Sequence, residues 1–328
     1  MREAAFVKQN KDKWLKFERV VQNNISISPS ELSELYVELT EDLNYAQTFY
    51  SNSETLAYLN ELSVGIHQRI YKTKKESRNR IYLFYAKEFP LFFYKHRPTL
   101  LLAFLIFLGF SLVGAFSAAS DDSFVRLILG DAYVNMTMEN IQKGDPMAVY
   151  KKANQTDMFL GITINNIKVS LYAFVAGLLA GLGTIYILMK NAIMLGAFQY
   201  FFYEQDLLWE SSRTIWIHGT IEISVIIVAG CAGLVMGKSL LFPKTYTRLQ
   251  SFTQGVKSGL KIVISSIPFF IIAGFLEGFV TRLTGMPDWL AIAIILSSLA
   301  LIIYYYVVLP YLIYNKHEQQ LHQLQKGA

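Results

Sequence analysis

The residues best suited to chemistry in this sequence are a histidine and two glutamates that lie inside long apolar runs. His218 and Glu222 fall in the run from Thr214 to Gly237, and Glu277 falls in the run from Ile262 to Thr281. Because His218 and Glu222 are four residues apart, a helix places both side chains on one face, one turn from each other. A charged group in bilayer hydrocarbon costs at least about 2.5 kcal/mol, so such residues normally face a bundle interior or a wet cavity and mark function.

Three roles fit this set of groups. They could form a proton-linked or headgroup-linked site, a structural polar cluster that joins two helices, or a divalent-metal site built from imidazole and carboxylate. We rank the metal site last and predict no metal and no cofactor. The segment HGTIE lacks the spacing of the zinc-protease motif HExxH. The sequence also shows no Ser–His–Asp arrangement and no phosphate-binding loop, so we predict that the protein is not an enzyme.

Membrane-spanning helices must position these groups. The chain has 328 residues, of which 53% are hydrophobic. Residues 1–97 are polar and charged, whereas residues 98–314 hold nearly all the long apolar runs. A helix crosses a bilayer with about 20 apolar residues. We therefore predict an all-α protein, a polytopic transmembrane helix bundle. It has a cytoplasmic helical and juxtamembrane region over 1–97 and a cytoplasmic tail over 315–328.

Within residues 98–314 we predict about six membrane segments and an external loop at 120–164. The predicted segments are 99–119, 166–189, 191–208, 214–237, 262–281 and 290–314. We place the break between the second and third segments at Lys190-Asn191. The third segment is short, and the alternative is five crossings with this stretch re-entrant or interfacial. Basic residues precede the first segment and fill the loop 238–261, which puts both termini in the cytoplasm.

Short patterns predict local structure outside the membrane segments. Ser28, Pro29 and Glu31 form a helix start with a capping box, and a further helix is expected from about Glu54 to Glu88. In the loop, residues 124–129 predict a short interfacial helix, and Gly144-Asp145-Pro146 predicts a turn.

The depth of the polar residues predicts one shared site. His218 lies about 7 Å below the outer end of its helix and Glu277 about 6 Å below the outer end of the next, at 1.5 Å per residue. Asn166 and Arg282 fall near the same level. We therefore predict an intramembrane polar site of His218, Glu222, Glu277, Asn166 and Arg282 beside an outward-facing polar cavity.

Glycines predict where helices approach each other closely. The predicted packing positions are Gly177, Gly183, Gly219, Gly230, Gly233 and Gly237. The last two form a GxxxG step, a close-packing face for another helix.

Three runs of the chain resemble the stage II sporulation protein M family of bacterial and archaeal membrane proteins. The runs are NNIKVSLYAFVAGLLAGLGTIYILMKNAIMLGAF, WIHGTIEISVIIVAGCAGLVMG and IPFFIIAGFLEGFVT. The HGxxE segment is the most specific element, and Glu277 in LEGFVT is the second. The segments FVKQNKDKWLKFE and LNELSVGIHQRIY resemble the N-terminal part of the longer, non-sporulation members. The resemblance covers most of residues 1–315 and implies a multi-pass protein of the bacterial cytoplasmic membrane.

The resemblance also implies a class of function. Sporulation members of the family act in an envelope-remodelling complex with peptidoglycan-degrading partners. The longer members resemble components of operons that encode a MoxR-type ATPase and other small membrane proteins. We therefore predict a membrane scaffold or a component of an envelope-associated complex. The alternative is a transporter or lipid-headgroup-handling protein that uses the buried histidine and glutamates.

The expected partners follow from this reading. They are membrane lipids, other membrane proteins or a second copy of the chain. The N-terminal region is the expected contact for a MoxR-type ATPase or other operon partners. The sequence shows no nucleic-acid signature.

Overall fold

The computed structural model describes residues 1–22, 28–70, 79–151, 154–283 and 285–326, and these residues form helices and turns without a strand. The predicted all-α fold is confirmed. The chain divides into two compact units, Met1–Arg80 and Ile81–Ala328.

The helices are α1 (Glu3–Val21), α2 (Pro29–Phe49), α3 (Glu54–Ile70), α4 (Arg80–Leu83), α5 (Phe89–Tyr94), α6 (Arg97–Ser120), α7 (Asp122–Leu129), α8 (Asp131–Gln142), α9 (Gln155–Val175), α10 (Leu182–Glu204), α11 (Leu208–Leu241), α12 (Arg248–Phe275), α13 (Asp288–Ile303) and α14 (Leu309–Lys326). Wider π-helical turns lie at Phe84–Glu88, Leu276–Val280 and Tyr304–Val308, and 3₁₀ turns lie at Ala148–Lys151 and Ala176–Leu178.

The N-terminal unit packs α1, α2 and α3 around a core of its own. Its buried residues are Phe6, Trp14, Phe17, Val20, Leu35, Leu39, Ala46, Leu59, Leu62 and Ile66. The indole Nε1 of Trp14 donates to Asp42 Oδ2 at 2.8 Å, so a carboxylate at the edge of this core has a hydrogen bond.

The predicted capping box of α2 is confirmed. The backbone N–H of Glu31 donates to Ser28 Oγ at 3.3 Å, and the backbone N–H of Ser28 donates to Glu31 Oε2 at 2.9 Å. The helix expected from Glu54 to Glu88 ends at Ile70 and is helical again from Arg80. The intervening part of that prediction falls on residues 71–78, which lie outside the described residues.

The described residues of the second unit include six helices that are long and apolar enough to cross a membrane. They are Arg97–Ser120, Gln155–Leu178, Leu182–Glu204, Leu208–Leu241, Arg248–Val280 and Asp288–Gln323. The third has 23 residues. At 1.5 Å per residue it is about 34 Å long, which is enough for a complete crossing.

Helix α11 lies at the centre of this unit. Its apolar window is 83% buried, whereas the windows of α6 and of Asp288–Gln323 are each 17% buried. Helices α6, α9, α10, α12 and α13 all contact it. A polar group on α11 is therefore surrounded by protein rather than by lipid.

The predicted break at Lys190-Asn191 is wrong, because both residues lie within α10. The chain reverses ten residues earlier, where Ala180 (φ 54°) and Gly181 (φ 88°) adopt left-handed backbone conformations. Glycine suits such a conformation because it has no Cβ. The polarity of Lys190 and Asn191 suggested a membrane boundary, but the amide of Asn191 donates to Ile187 O at 2.8 Å within the helix.

The external loop is shorter than predicted because the helix that follows it begins earlier. Helix α9 begins at Gln155, where Asn154 accepts from the Thr156 N–H, so it takes up ten residues of the predicted external loop. In the rest of that loop the predicted short helix is α7, and the predicted turn is present with Gly144 at φ 76°.

A tyrosine replaces the backbone hydrogen bond that a proline removes from α12. Pro268 has no N–H, so the carbonyl of Ile264 loses its helical donor. The hydroxyl of Tyr85 donates to Ile264 O at 2.9 Å in its place. Nearby, Phe89 and Phe93 are fully buried against Tyr306.

The predicted glycine face of α11 packs within the chain. A Cβ at Gly177 would meet the backbone of Gly233, and a Cβ at Gly237 would meet the backbone of Gly181. Gly230 packs on Leu188 in the same way. These contacts bring the α9–α10 turn region and α10 directly onto α11.

Gly233→Ala and Gly219→Ala form a matched pair on this helix. At Gly233 a Cβ would collide with Ala173 O and with the Thr184 hydroxyl that donates to it at 2.7 Å. At Gly219 the nearest atoms are ordinary contacts at 3.7 Å. Thermal unfolding in detergent should show Gly233→Ala destabilised by about 1–3 kcal/mol. Gly219→Ala should be unchanged or up to about 1 kcal/mol more stable, because alanine favours a helix. Equal behaviour of the two variants would contradict the packing.

Candidate intramembrane site

One histidine and two glutamates converge between α11 and the end of α12. His218 and Glu222 lie one turn apart on α11, and Glu277 lies in the π turn Leu276–Val280. His218 Nε2 is 3.8 Å from Glu277 Oε2, and these side chains are 6% and 13% exposed. One ligand atom from each of the three residues lies within 4.8 Å of the other two. The structure therefore encloses all three groups in one small volume.

The π turn sets the position of Glu277 and of a fourth residue, Thr281. The Thr281 N–H donates to Leu276 O at 2.8 Å, a bond that spans five residues instead of four. Such widened turns shift the side chains that follow, and they are frequent at functional sites. Here the turn brings the Thr281 hydroxyl to 2.9 Å from His218 Nδ1.

The hydrogen bonds of Thr281 assign the tautomer of His218. The Thr281 hydroxyl donates its single hydrogen to Leu276 O at 3.2 Å. Its oxygen must then accept from His218, so Nδ1 carries the hydrogen. In the neutral imidazole this leaves the lone pair on Nε2, on the side of Glu277.

Asn166 of α9 completes the surroundings of Glu222. Its side chain interacts with the Glu222 carboxylate. The residue is only 5% exposed, and its Nδ2 makes no hydrogen bond of normal geometry among the described residues. Thr163 and Ser170 lie on the same face of α9 and are also buried with unpaired hydroxyls. Asn166 therefore belongs to a stripe of buried polar residues on α9.

The arginines occupy the edge of this region. Arg282 directly follows Thr281 and is half-buried. Arg213, near the start of α11, forms an ion pair with Asp288 at the start of α13. Trp209 Nε1 also donates to Asp288, at 3.4 Å. The Asp288 carboxylate of α13 thus contacts two side chains near the start of α11.

A cavity of about 350 Å³ lies against the cluster. His218, Gly219 and Glu222 form part of one wall, whereas Glu277 does not line it. Most of the remaining lining is apolar and comes from α6, α7, α10 and α11. The sequence predicted a polar cavity, but the structure shows an apolar chamber with a polar edge. The reason is that apolar side chains of α6, α7, α10 and α11 supply most of the lining, whereas His218 and Glu222 both come from α11.

Sequence analysis missed three residues around this site. Thr281 lies four residues after Glu277, the spacing that also separates His218 from Glu222, so its position on the same helix face was readable. Asn191 and Tyr133 also line the cavity. Tyr133 belongs to α8 of the loop, and no periodic signal connects that loop to α11.

Thr281→Val and Thr281→Ser test the contact that orients His218. Valine keeps the shape but leaves the buried Nδ1–H of His218 without its acceptor, which should cost about 1–3 kcal/mol of unfolding free energy. Serine keeps the hydroxyl and should retain most of the stability. Chemical or thermal unfolding in detergent gives the comparison. If the Thr281→Val variant is as stable as the Thr281→Ser variant, the hydrogen bond does not contribute to stability or orient the imidazole.

Both units of the chain match known protein families. Residues 103–282, or 180 of the 328 residues, match the family described as stage II sporulation protein M. Residues 4–72 match a family described as a domain of unknown function, DUF8413. No protein with a curated description and no solved structure matches the chain. The family match covers more than half of the chain, and six helices of the second unit are long and apolar enough to cross a membrane. The chain is therefore a multi-pass membrane protein that belongs to the stage II sporulation protein M family.

Proposed function

We propose that this protein is a non-enzymatic membrane scaffold, a component of an envelope-associated complex in the bacterial cytoplasmic membrane, with both termini in the cytoplasm. The observation that carries the proposal is a pair of lysines on the outer surface of the helix bundle. Lys168 of α9 and Lys190 of α10 are both exposed. The outer surface of a membrane bundle faces either lipid or another protein.

Both lysines lie far from the ends of their helices. Lys168 lies in the span Gln155–Leu178 and Lys190 in the span Leu182–Glu204. At 1.5 Å per residue, each is at least about 12 Å from either end of its span. A lysine at such a depth costs about 2.5–3.5 kcal/mol on insertion scales. The ring of Tyr186 is 6.0 Å from Lys190 Nζ, a long distance for a cation–π contact.

A membrane helix that carries carboxylates is the partner that this surface fits. Helices α9 and α10 contact each other, and each carries one of the two exposed lysines. Intramembrane charges normally pair with one another or face the interior of a bundle. An acidic partner helix would convert two costly exposed charges into ion pairs.

The glycine faces are not the surface for this assembly. Gly230, Gly233 and Gly237 of α11 pack against Leu188, Gly177 and Gly181 of the same chain. Partner binding is therefore assigned to the lysine surface.

The N-terminal unit supports a scaffold role in a second way. It has its own hydrophobic core and matches a family separate from that of the membrane unit. We assign it the recruitment of a soluble partner, for which the family resemblance supplies a MoxR-type ATPase as the candidate.

A second candidate function rests on the cavity. Its volume of about 350 Å³ falls in the range of small-ligand pockets. A polar edge at His218 and Glu222 and an apolar body suit an amphipathic molecule such as a lipid with its headgroup. This function would make the protein a transporter or a lipid-headgroup-handling protein.

The double variant Lys168→Leu/Lys190→Leu tests the scaffold proposal. Tagged full-length chains are purified from membranes of the native host, and their co-purifying membrane proteins and native mass are compared. We expect the double variant to lose its membrane partners while its thermal midpoint stays equal or rises, because leucine suits a lipid-facing position.

Lys143→Leu is the matched control, because Lys143 is also exposed but follows α8 in the loop. It should keep all partners. A double variant that retains every partner and complements a deletion strain would contradict the proposal and leave the cavity-based function as the better account.

A further inference from the structure

We propose that His218, Glu222 and Glu277 bind one divalent transition-metal ion, and that zinc is the ion whose preferences they fit. The proposal is independent of the scaffold role, since it concerns the interior of the membrane unit. Imidazole nitrogen and carboxylate oxygen are standard zinc ligands, and three protein ligands with one open position are typical of reactive zinc sites.

The distances suit an ion of this size. Zinc lies about 2.0–2.2 Å from its nitrogen and oxygen ligands, so two ligands of a tetrahedral ion are about 3.4 Å apart. His218 Nε2 and Glu277 Oε2 are 3.8 Å apart, and the three ligand atoms lie within 4.8 Å of one another. Binding would require the ligand atoms to approach one another from at most 4.8 Å to about 3.4 Å.

The charge of the cluster also calls for a divalent cation. Glu222 and Glu277 bring two carboxylates into a volume with little solvent, and His218 directs a lone pair to the same place. Two protons could neutralise the two carboxylates separately, as often happens for buried acids. A divalent ion balances both and gives all three acceptors a common partner.

The hydrogen bond between His218 and Thr281 is of the kind that orients metal-bound histidines. A metal-bound histidine normally donates its other ring N–H to a fixed acceptor, which sets its tautomer and direction. Thr281 fills that role at 2.9 Å, and it is itself held by the π turn through Leu276 O.

Asn166 supplies a second, independent observation. Its side chain is about 95% buried, its Nδ2 makes no hydrogen bond of normal geometry among the described residues, and it interacts with the Glu222 carboxyl group. The amide N–H of Asn166 could donate to the Glu222 oxygen that does not bind the ion, and this contact would fix the direction of the carboxylate.

The cavity gives the proposed ion a route and an open position. His218 and Glu222 line it, whereas Glu277 and Thr281 lie behind them. An ion held by all three ligands would therefore meet the polar edge of an otherwise apolar chamber, where a water or the oxygen of a ligand could complete its coordination.

Metal titration of the full-length protein tests the proposal. The protein is purified in detergent with a tag that contains no histidine, treated with a chelator and titrated with Zn²⁺ alone. We expect one ion per chain and a higher thermal midpoint when the ion is bound. Glu222→Gln and Glu277→Gln should each weaken binding at least 100-fold, and Thr281→Val should weaken it 10- to 100-fold. Glu204→Gln, an exposed glutamate at the end of α10, is the control and should bind normally.

X-ray absorption spectroscopy of the zinc-loaded wild-type protein identifies the zinc ligands directly, so it tests the proposal even if the variants fold poorly. The expected spectrum has a single imidazole, otherwise oxygen ligands, and no sulfur. Two or more imidazoles would assign the ion to other histidines and overturn the proposal. Absence of stoichiometric binding, or binding that both glutamine variants retain, would overturn it as well and leave a proton as the cation of the site.

Discussion

The enclosure of α11 by five other helices is the constraint on which the rest of the membrane unit depends. Its small residues permit the approach: Gly233 meets the backbone of Gly177, and Gly237 meets that of Gly181. Lipid tails are as apolar as leucine, so membrane helices associate through such packing rather than through a hydrophobic effect. Once α11 is enclosed, its ionisable side chains can be solvated only by the protein.

That constraint explains the irregular backbone around the cluster. An unbroken α12 would carry Glu277 and Thr281 along one regular face, whereas the π turn moves both toward α11. The buried amide of Asn166 and the hydroxyl of Thr281 then face side chains that lipid could not accommodate. Arg213 and Asp288 join α11 to α13 at its beginning. Polar groups of α9, of α13 and of the π turn after α12 thus lie near the first half of α11.

The sequence predicts the parts of this arrangement that depend on residue spacing. The parts that it does not predict depend on backbone conformation and on the packing of several helices. The capping box at Ser28 and the shared layer of His218 and Glu277 depend on spacing, which a sequence displays directly. The polarity of Lys190 predicts a boundary at the wrong place, because the reversal at Gly181 depends on a left-handed backbone conformation and not on polarity. The chamber beside His218 could not be foreseen, because it arises from the way four helices meet rather than from any one of them.

The central claim is that the buried carboxylates serve a ligand and not the stability of the bundle. The most direct measurement compares Glu277→Gln with the parent in two respects: thermal stability in detergent with a chelator present, and complementation of a deletion strain under envelope stress. Our account predicts that the variant is as stable as the parent or more stable, because one buried carboxylate has been removed, and that it fails to complement. A variant that loses stability in step with function would contradict the account and make the cluster a structural joint between α11 and α12.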